Sequence, residues 1–340
     1  MAQQTHVDSI YTKVNNTNND SLKSVYYKQL ASYFFIKDKT KAYSYIDSVI
    51  FFAKKTKNKQ FYLLQRLYLA NTQLYDYKYR QALNNFKELL VEFTEINDTP
   101  NFAIQLNNIG FAYYNLAKYD SAKAYFLQSI KFYKKIGNEK QVAQTLNNIG
   151  IIYDIYGKPI KAIDYYMQAL KIYNKQKEYA YYIGTAINIG VVYLNQQQFK
   201  SAIDFALENI NYLDSIKNKR LKIDYLQNLA IAYDDINDFG NALKYYNLAL
   251  KYSQEINDNL RTAKVYTNLS SSYSMQGKKE ESLKYAIKAI EIKKEIGDLA
   301  SLVISQLGLA DSYRNYGYNY DAIKYYIIGI KNAEKIKYQQ

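Results

Sequence analysis

Apolar residues along this chain follow helical spacing, and the helical phrases themselves recur at a longer interval. Phe102, Leu106, Ile109 and Tyr113 fall three to four residues apart, the spacing that gathers side chains on one helical face. After a short break at Ala117-Lys118-Tyr119-Asp120, Ala122, Tyr125, Phe126, Ser129, Ile130 and Tyr133 mark a second amphipathic stretch, which ends near Gly137-Asn138. The pair then repeats. Asn108, Asn148, Asn188, Asn228 and Asn268 stand 40 residues apart, and the register extends to Gly308 forwards and to Tyr68 and Lys28 backwards. Five residues past the anchor stands a tyrosine in every copy but one, from Tyr33 to Tyr313, with Gln73 the exception. Fourteen past it stands alanine, from Ala42 to Ala322, with Ser282 the exception, and twenty-two past it isoleucine or leucine, from Ile50 to Ile330. Eight copies without a slip predict an all-α solenoid of eight helix-turn-helix units over residues 21–338.

The small residues have a steric reason. Gly110, Gly150, Gly190, Ala230, Ser270 and Ala310 on the first helix, facing the alanine series on the second, let paired axes approach toward the short end of the usual ~8–10 Å. Tyrosine and isoleucine positions are then expected to fill the space between stacked pairs. Ahead of the array, Asn15-Asn16-Thr17-Asn18-Asn19-Asp20 reads as a polar linker. Residues 1–20 form a tail in which Thr5–Val14 can make a short capping helix. Tyr338-Gln339-Gln340 bring no polar closing helix, which suggests a chain that continues beyond them.

The segment Asn147-Asn148-Ile149-Gly150-Ile151-Ile152-Tyr153, followed by Ala162, Tyr166 and Ala169, resembles the tetratricopeptide repeat family. The resemblance covers residues 21–338 and implies a right-handed superhelix whose first helices line a concave groove. Two departures stand out. The period is longer than the family's usual ~34 residues, and the proline that closes the family's second helix is absent, with Lys134, Asn174 and Asp214 in its place. The longer variety is similar to the repeats of kinesin light chain and of bacterial regulators that bind peptides or partner proteins.

Composition then removes several classes of activity. The chain has 340 residues, no cysteine, two prolines and one histidine. Disulfides, thiolate chemistry and cysteine metal sites are therefore absent. His6 lies in the tail with no flanking ligands, and no glycine-rich phosphate loop or His-Glu-x-x-His motif occurs. Adjacent carboxylates such as Asp234-Asp235 and Glu280-Glu281 diverge by about 100° on a helix and read as surface charge. Neither catalysis nor a cofactor is expected. No apolar run spans a bilayer. The polar start Met1-Ala2-Gln3-Gln4 carries no signal peptide, or follows one that was removed, so the compartment stays open.

The net charge of +14 raises nucleic acid as a partner, but the positions of the lysines argue otherwise. Lys123, Lys131, Lys134, Lys135, Lys161, Lys171, Lys244, Lys251, Lys284, Lys288 and Lys293 fall on second helices, where they are expected to solubilise the outer surface. They make no basic groove of the kind single-stranded nucleic acid uses.

On the first helix, the anchor, the residue four before it and those three and seven after it share one stripe. The asparagine ladder Asn108, Asn148, Asn188, Asn228 and Asn268 is thus expected to face the groove. Each amide offers a donor and an acceptor to an extended peptide backbone, or else bridges adjacent first helices. In the first three copies Phe34, Phe35, Leu64, Leu67, Tyr68, Tyr75, Phe111 and Tyr114 share this face. These aromatics are expected to receive a ligand, the folded-back residues 5–14, or the core. In later copies Asp154, Asp224, Asp234, Asp235 and Asp311 share it, with Lys264 and Arg314 as exceptions. The expected function is a non-catalytic scaffold that binds a protein or peptide, its aspartates selecting basic side chains, in the sensory or docking module of a larger regulator. The alternative is an oligomerisation module acting through its ends or convex face.

Overall fold

The computed structural model describes residues 2–337; the expectations drawn from Met1 at the start and from Tyr338-Gln339-Gln340 at the end lie outside the described residues. Among the described residues there are 17 α-helices and no strand. They fall into two compact units, one through Ile152 and one from Tyr153.

The first unit holds α1 (Ala2–Asn16), α2 (Asp20–Phe34), α3 (Lys39–Lys55), α4 (Lys59–Tyr75), α5 (Tyr79–Glu95), α6 (Thr99–Asn115), α7 (Tyr119–Lys135) and most of α8 (Glu139–Ile155), in which the division falls. The second holds α9 (Pro159–Lys175), α10 (Tyr179–Asn195), α11 (Phe199–Asn209, continued by a 3-10 turn over Ile210–Leu213), α12 (Lys219–Asp235), α13 (Phe239–Glu255), α14 (Asn259–Met275), α15 (Lys279–Ile296), α16 (Leu299–Asn315) and α17 (Asn319–Lys337). The even-numbered helices from α2 carry the anchor positions.

From α3 to α14 every helix except α11 is 17 residues long, about 25 Å at 1.5 Å per residue. A three-residue turn follows each, so the period is a doubled 20. In the middle of the turn the backbone is left-handed, at Lys57, Tyr77, Asn97, Ala117, Gly137, Gly157, Lys177, Gln197, Asn237, Asn257, Gly277, Gly297 and Gly317. Two carbonyls of the finished helix are satisfied there: Ala117 N–H donates to Tyr114 O and Lys118 N–H to Tyr113 O, each at 2.9 Å. The first helices mostly start on an Asx cap. Asn58, Asp98, Asn138, Asn218, Asp258 and Asp298 each accept a backbone N–H from the first turn of the helix that follows.

Packing is built on the same register. The alanine series and Ser282 are buried throughout. Gly110 shows why bulk is excluded: a Cβ there would meet the Phe126 ring at 2.6 Å and Ala122 O at 3.2 Å. Gly190 is looser, with its nearest neighbour, Asn228 Nδ2, at 3.8 Å. The register tyrosines do not sit between pairs as expected but stack within them. Tyr113 lies on Tyr125 at 5.5 Å, Tyr233 on Tyr245 at 5.7 Å, Tyr273 on Tyr285 at 5.5 Å and Tyr313 on Tyr325 at 5.6 Å, all at low interplanar angles. In the first unit Leu63, Phe86, Phe93 and Ile109 form one cluster. Val7, Ile10 and Val14 of α1 close on Leu30, Tyr27 and Tyr45 in another. In the second unit Ile290, Leu302 and Leu309 pack between α15 and α16. No helix among the described residues is long and apolar enough to cross a membrane.

Candidate functional site

The first-helix stripe is clearest in the second unit. On α12, Asp224, Asn228 and Ile231 are half-buried and Asp235 is exposed, while the residues between them are mostly buried. An open cleft of about 540 Å³ lies on this face. Ile187 and Val191 of α10, Asp224 and Asn228 of α12, and Leu260, Arg261, Lys264, Thr267 and Asn268 of α14 line it, with Lys293 and Ser301 at one end. Two ladder asparagines therefore open into one cleft. In the first unit Asn108 lines a smaller cleft of about 290 Å³ with Asn107, Ile104 and Gln141.

The ladder amides also reach back toward the preceding first helix. Asn108 Nδ2 donates to Asn71 Oδ1 at 3.4 Å, Asn228 Nδ2 to Ile187 O at 3.5 Å and Asn268 Nδ2 to Gln227 Oε1 at 3.1 Å. Each such bond uses one of the two amide N–H groups, leaving the other and Oδ1 at the cleft wall. Asn148 and Asn188 are half-buried at the same register position, on α8 and α10.

The aspartates do not form the acidic surface that the sequence suggested. Asp224 is held by Arg261, with Nε to Oδ1 at 3.0 Å and Nη2 to Oδ2 at 2.7 Å, and Arg261 also reaches Asp258 at 3.2 Å. Asp234 is only 5% exposed. It accepts from Ser272 Oγ at 2.7 Å and from the Tyr246 hydroxyl, and burial pushes its carboxyl above the ordinary range. Asp311 takes the Tyr326 hydroxyl and pairs with Arg314 at 3.2 Å. Asp154, half-buried, and Asp235, exposed, remain on the open face, each shifted upward by desolvation.

The lysines correct the picture further. Lys264 stands exposed in the cleft. Lys293, expected on the outer surface, turns inward, where burial lowers its ammonium below the usual lysine value. The signal was present in the sequence. Lys293 occupies the register position of Tyr133 and Tyr173, so a charge there breaks an otherwise buried series.

In the first unit the aromatic face survives in part. Phe111 is 40% exposed and stacks on half-buried Tyr114 at 6.1 Å, and Tyr114 meets Tyr119 at 5.7 Å. Leu64 and Tyr75 are exposed too. Tyr68 carries the Lys28 ammonium 4.6 Å above its ring. Leu67 belongs to the core, and Phe34 joins the cluster that α1 closes. Helix α1 thus covers Phe34 and leaves Phe111 open.

The tetratricopeptide repeat model matches residues 102–175 and 238–295. No sequence among the curated proteins matches. Similar solved structures include the apo form of the quorum sensor NprR from B. thuringiensis, 15% identical, covering 96% of this chain and 92% of that one with a TM-score of 0.63. Aspartyl phosphate phosphatase F from Bacillus subtilis is 17% identical, covering 85% and 75% with a TM-score of 0.61. The Rap conjugation gene regulator of plasmid pLS20, solved with the Phr* peptide, is 15% identical, covering 84% and 77% with a TM-score of 0.51. At such identities the likeness is one of fold. Residues 102–175 and 238–295 thus carry tetratricopeptide repeats, and the helix pairs between and around them keep the same 40-residue register.

Proposed function

We propose that this chain is a non-catalytic scaffold that holds an extended peptide along the open faces of its first helices. The observation that carries the reading is the ladder: asparagines at one register position, with Asn228 and Asn268 in one cleft. After bridging to the preceding helix, Asn228 and Asn268 each keep an N–H and an oxygen for a peptide backbone. Such pairing is indifferent to sequence, so selectivity falls to neighbouring side chains: Phe111 and Tyr114 in the first unit, Lys264, Asp154 and Asp235 in the second. Similarity to a regulator solved with the Phr* peptide and to the quorum sensor NprR supports the reading, and with it a place for this chain in the sensory module of a larger regulator.

The test is a triple change of Asn148, Asn188 and Asn228 to alanine, measured against peptides selected on the unmodified chain from a random display library. Each amide bond is worth about 0.5–1.5 kcal/mol, so affinity should fall at least tenfold. Unchanged affinity would remove the ladder from the mechanism.

A second reading, self-association through the last pair, has one observation in its favour. Ile323, Ile327 and Ile330 on α17 are 60, 47 and 55% exposed. Their register equivalents Leu283, Ile287 and Ile290 pack in the cluster shared with α16. A monomer by light scattering at tens of micromolar would count against it.

A further inference from the structure

The odd-numbered helices bury a residue at one register position: Phe93, Tyr133, Tyr173, Leu213 and Ser253 are at most 7% exposed. In α15 that position holds Lys293, and space opens on both sides of it. One side is the cleft of Asn228 and Asn268. The other is a cavity of about 390 Å³ whose wall carries seven hydroxyl side chains, Thr267, Ser270, Ser271, Ser274, Ser282, Ser305 and Ser312, and no carboxylate. Lys293 borders both.

The ammonium is held by neutral groups. Nζ donates to Ser305 Oγ at 2.6 Å and to Thr267 Oγ1 at 3.4 Å, which accounts for two of its three N–H donors. Thr267 spends its own hydrogen on Ala263 O. Ser305 receives from the ammonium and keeps its hydrogen to give. The one carboxylate whose charge Lys293 feels is Asp298, which already accepts the Ser301 N–H as the cap of α16. A partly desolvated cation among hydroxyls lacks the counter-charge that burial normally demands. A ligand can supply it.

We infer that this cavity is an oxyanion subsite, in which Lys293 and the Ser305 hydroxyl receive a carboxylate or phosphate group carried by the bound peptide. The inference rests on the peptide-binding reading, because Asn268 lines the adjoining cleft beside the same lysine. It reverses the polarity expected from the sequence: at this end of the second unit the favoured ligand group is acidic.

Titration calorimetry on the full chain tests it with three probes: inorganic phosphate, and acetyl-tetraalanine with a free or an amidated C-terminus. Phosphate identifies a phosphoryl source, and the free acid a terminal carboxylate. At least one anionic probe should bind, the amide at least tenfold more weakly than the free acid if the carboxylate is the ligand. Lys293→Met should abolish the anion dependence, Lys293→Arg should keep it, and Ser305→Ala should weaken it at least threefold. Methionine restores the apolar character of the register position, so folding is retained and is checked by circular dichroism. No anion binding by any probe, or anion binding that persists in Lys293→Met, overturns the subsite. If free acid and amide bind alike and Lys293→Met changes nothing, the subsite falls while the groove stands. If phosphate binding depends on Lys293 and neither peptide binds, the subsite stands and the groove reading falls.

Discussion

Arg261 closes on Asp224 with two parallel bonds, joining α14 to α12 across the wall of the cleft. Both side chains are about a quarter exposed, so the pair is partly shielded from water and salt. A double-mutant cycle with Arg261→Gln and Asp224→Asn should show a coupling of about 1 kcal/mol, as a bidentate pair at this exposure allows. Raising salt should shrink it. Zero coupling at low salt would mean that the two side chains act independently.

The left-handed turns give a second expectation. Ala117 has a φ of 56°, which costs a residue with a Cβ about 1–2 kcal/mol, more than the ~0.5–1 kcal/mol of extra chain entropy that glycine loses on folding. Ala117→Gly should therefore stabilise the chain by about 0.5–1 kcal/mol, and Gly157→Ala, at the corresponding turn, should destabilise it by a similar amount. Urea midpoints at constant slope measure both. Destabilisation by Ala117→Gly would show that the turn is not under strain.

Gly110 tests the close approach of α6 and α7. With a Cβ placed 2.6 Å from the Phe126 ring, Gly110→Ala should cost about 1–3 kcal/mol by overpacking. Adding Phe126→Leu to the same chain should recover part of that loss. A neutral Gly110→Ala would mean that the ring moves aside freely.

Asp234 carries a pH dependence of unusual sign. Its carboxyl is raised above 3.8 by burial, against the bonds from Ser272 and Tyr246. The folded state therefore holds this proton more tightly than the unfolded chain. The stability it contributes is complete below 3.8 and is lost as pH rises through the raised folded value. Asp234→Asn should remove that loss, leaving a chain more stable than the parent at neutral pH and no more stable in acid. Denaturation series between pH 3 and 8 that run parallel for the two chains would refute it.

The eightfold register, the helix pairs and the stripe of half-buried asparagines were legible in the sequence because each is a matter of periodicity. The turns were legible where glycine marked them or, as at Ala117, where the apolar spacing broke, but their left-handed backbone was legible only at glycine. Lys57, Tyr77, Ala117 and Gln197 take the same left-handed backbone without the residue type that announces it, because two carbonyl bonds and the packed helices on either side outweigh a local preference. Charge was the least legible. Asp224 reads as free until Arg261, 37 residues on, is seen to reach it. Asp234 belongs on an open face by spacing, yet Ser272 and Tyr246 draw it inward. Lys293 looks like one surface lysine among many until its register neighbours Tyr133 and Tyr173 are set beside it.

The even spacing of the turns has a consequence for how such a chain can change. Thirteen turns share one backbone conformation at multiples of 20 residues, so each is an equivalent crossover point. A gain or loss of 40 residues between any two of them leaves every remaining helix beside a neighbour of the type it already packs against. Recombination could thus add or remove ladder rungs in whole steps, altering the length of peptide held while the chemistry of each rung is inherited intact.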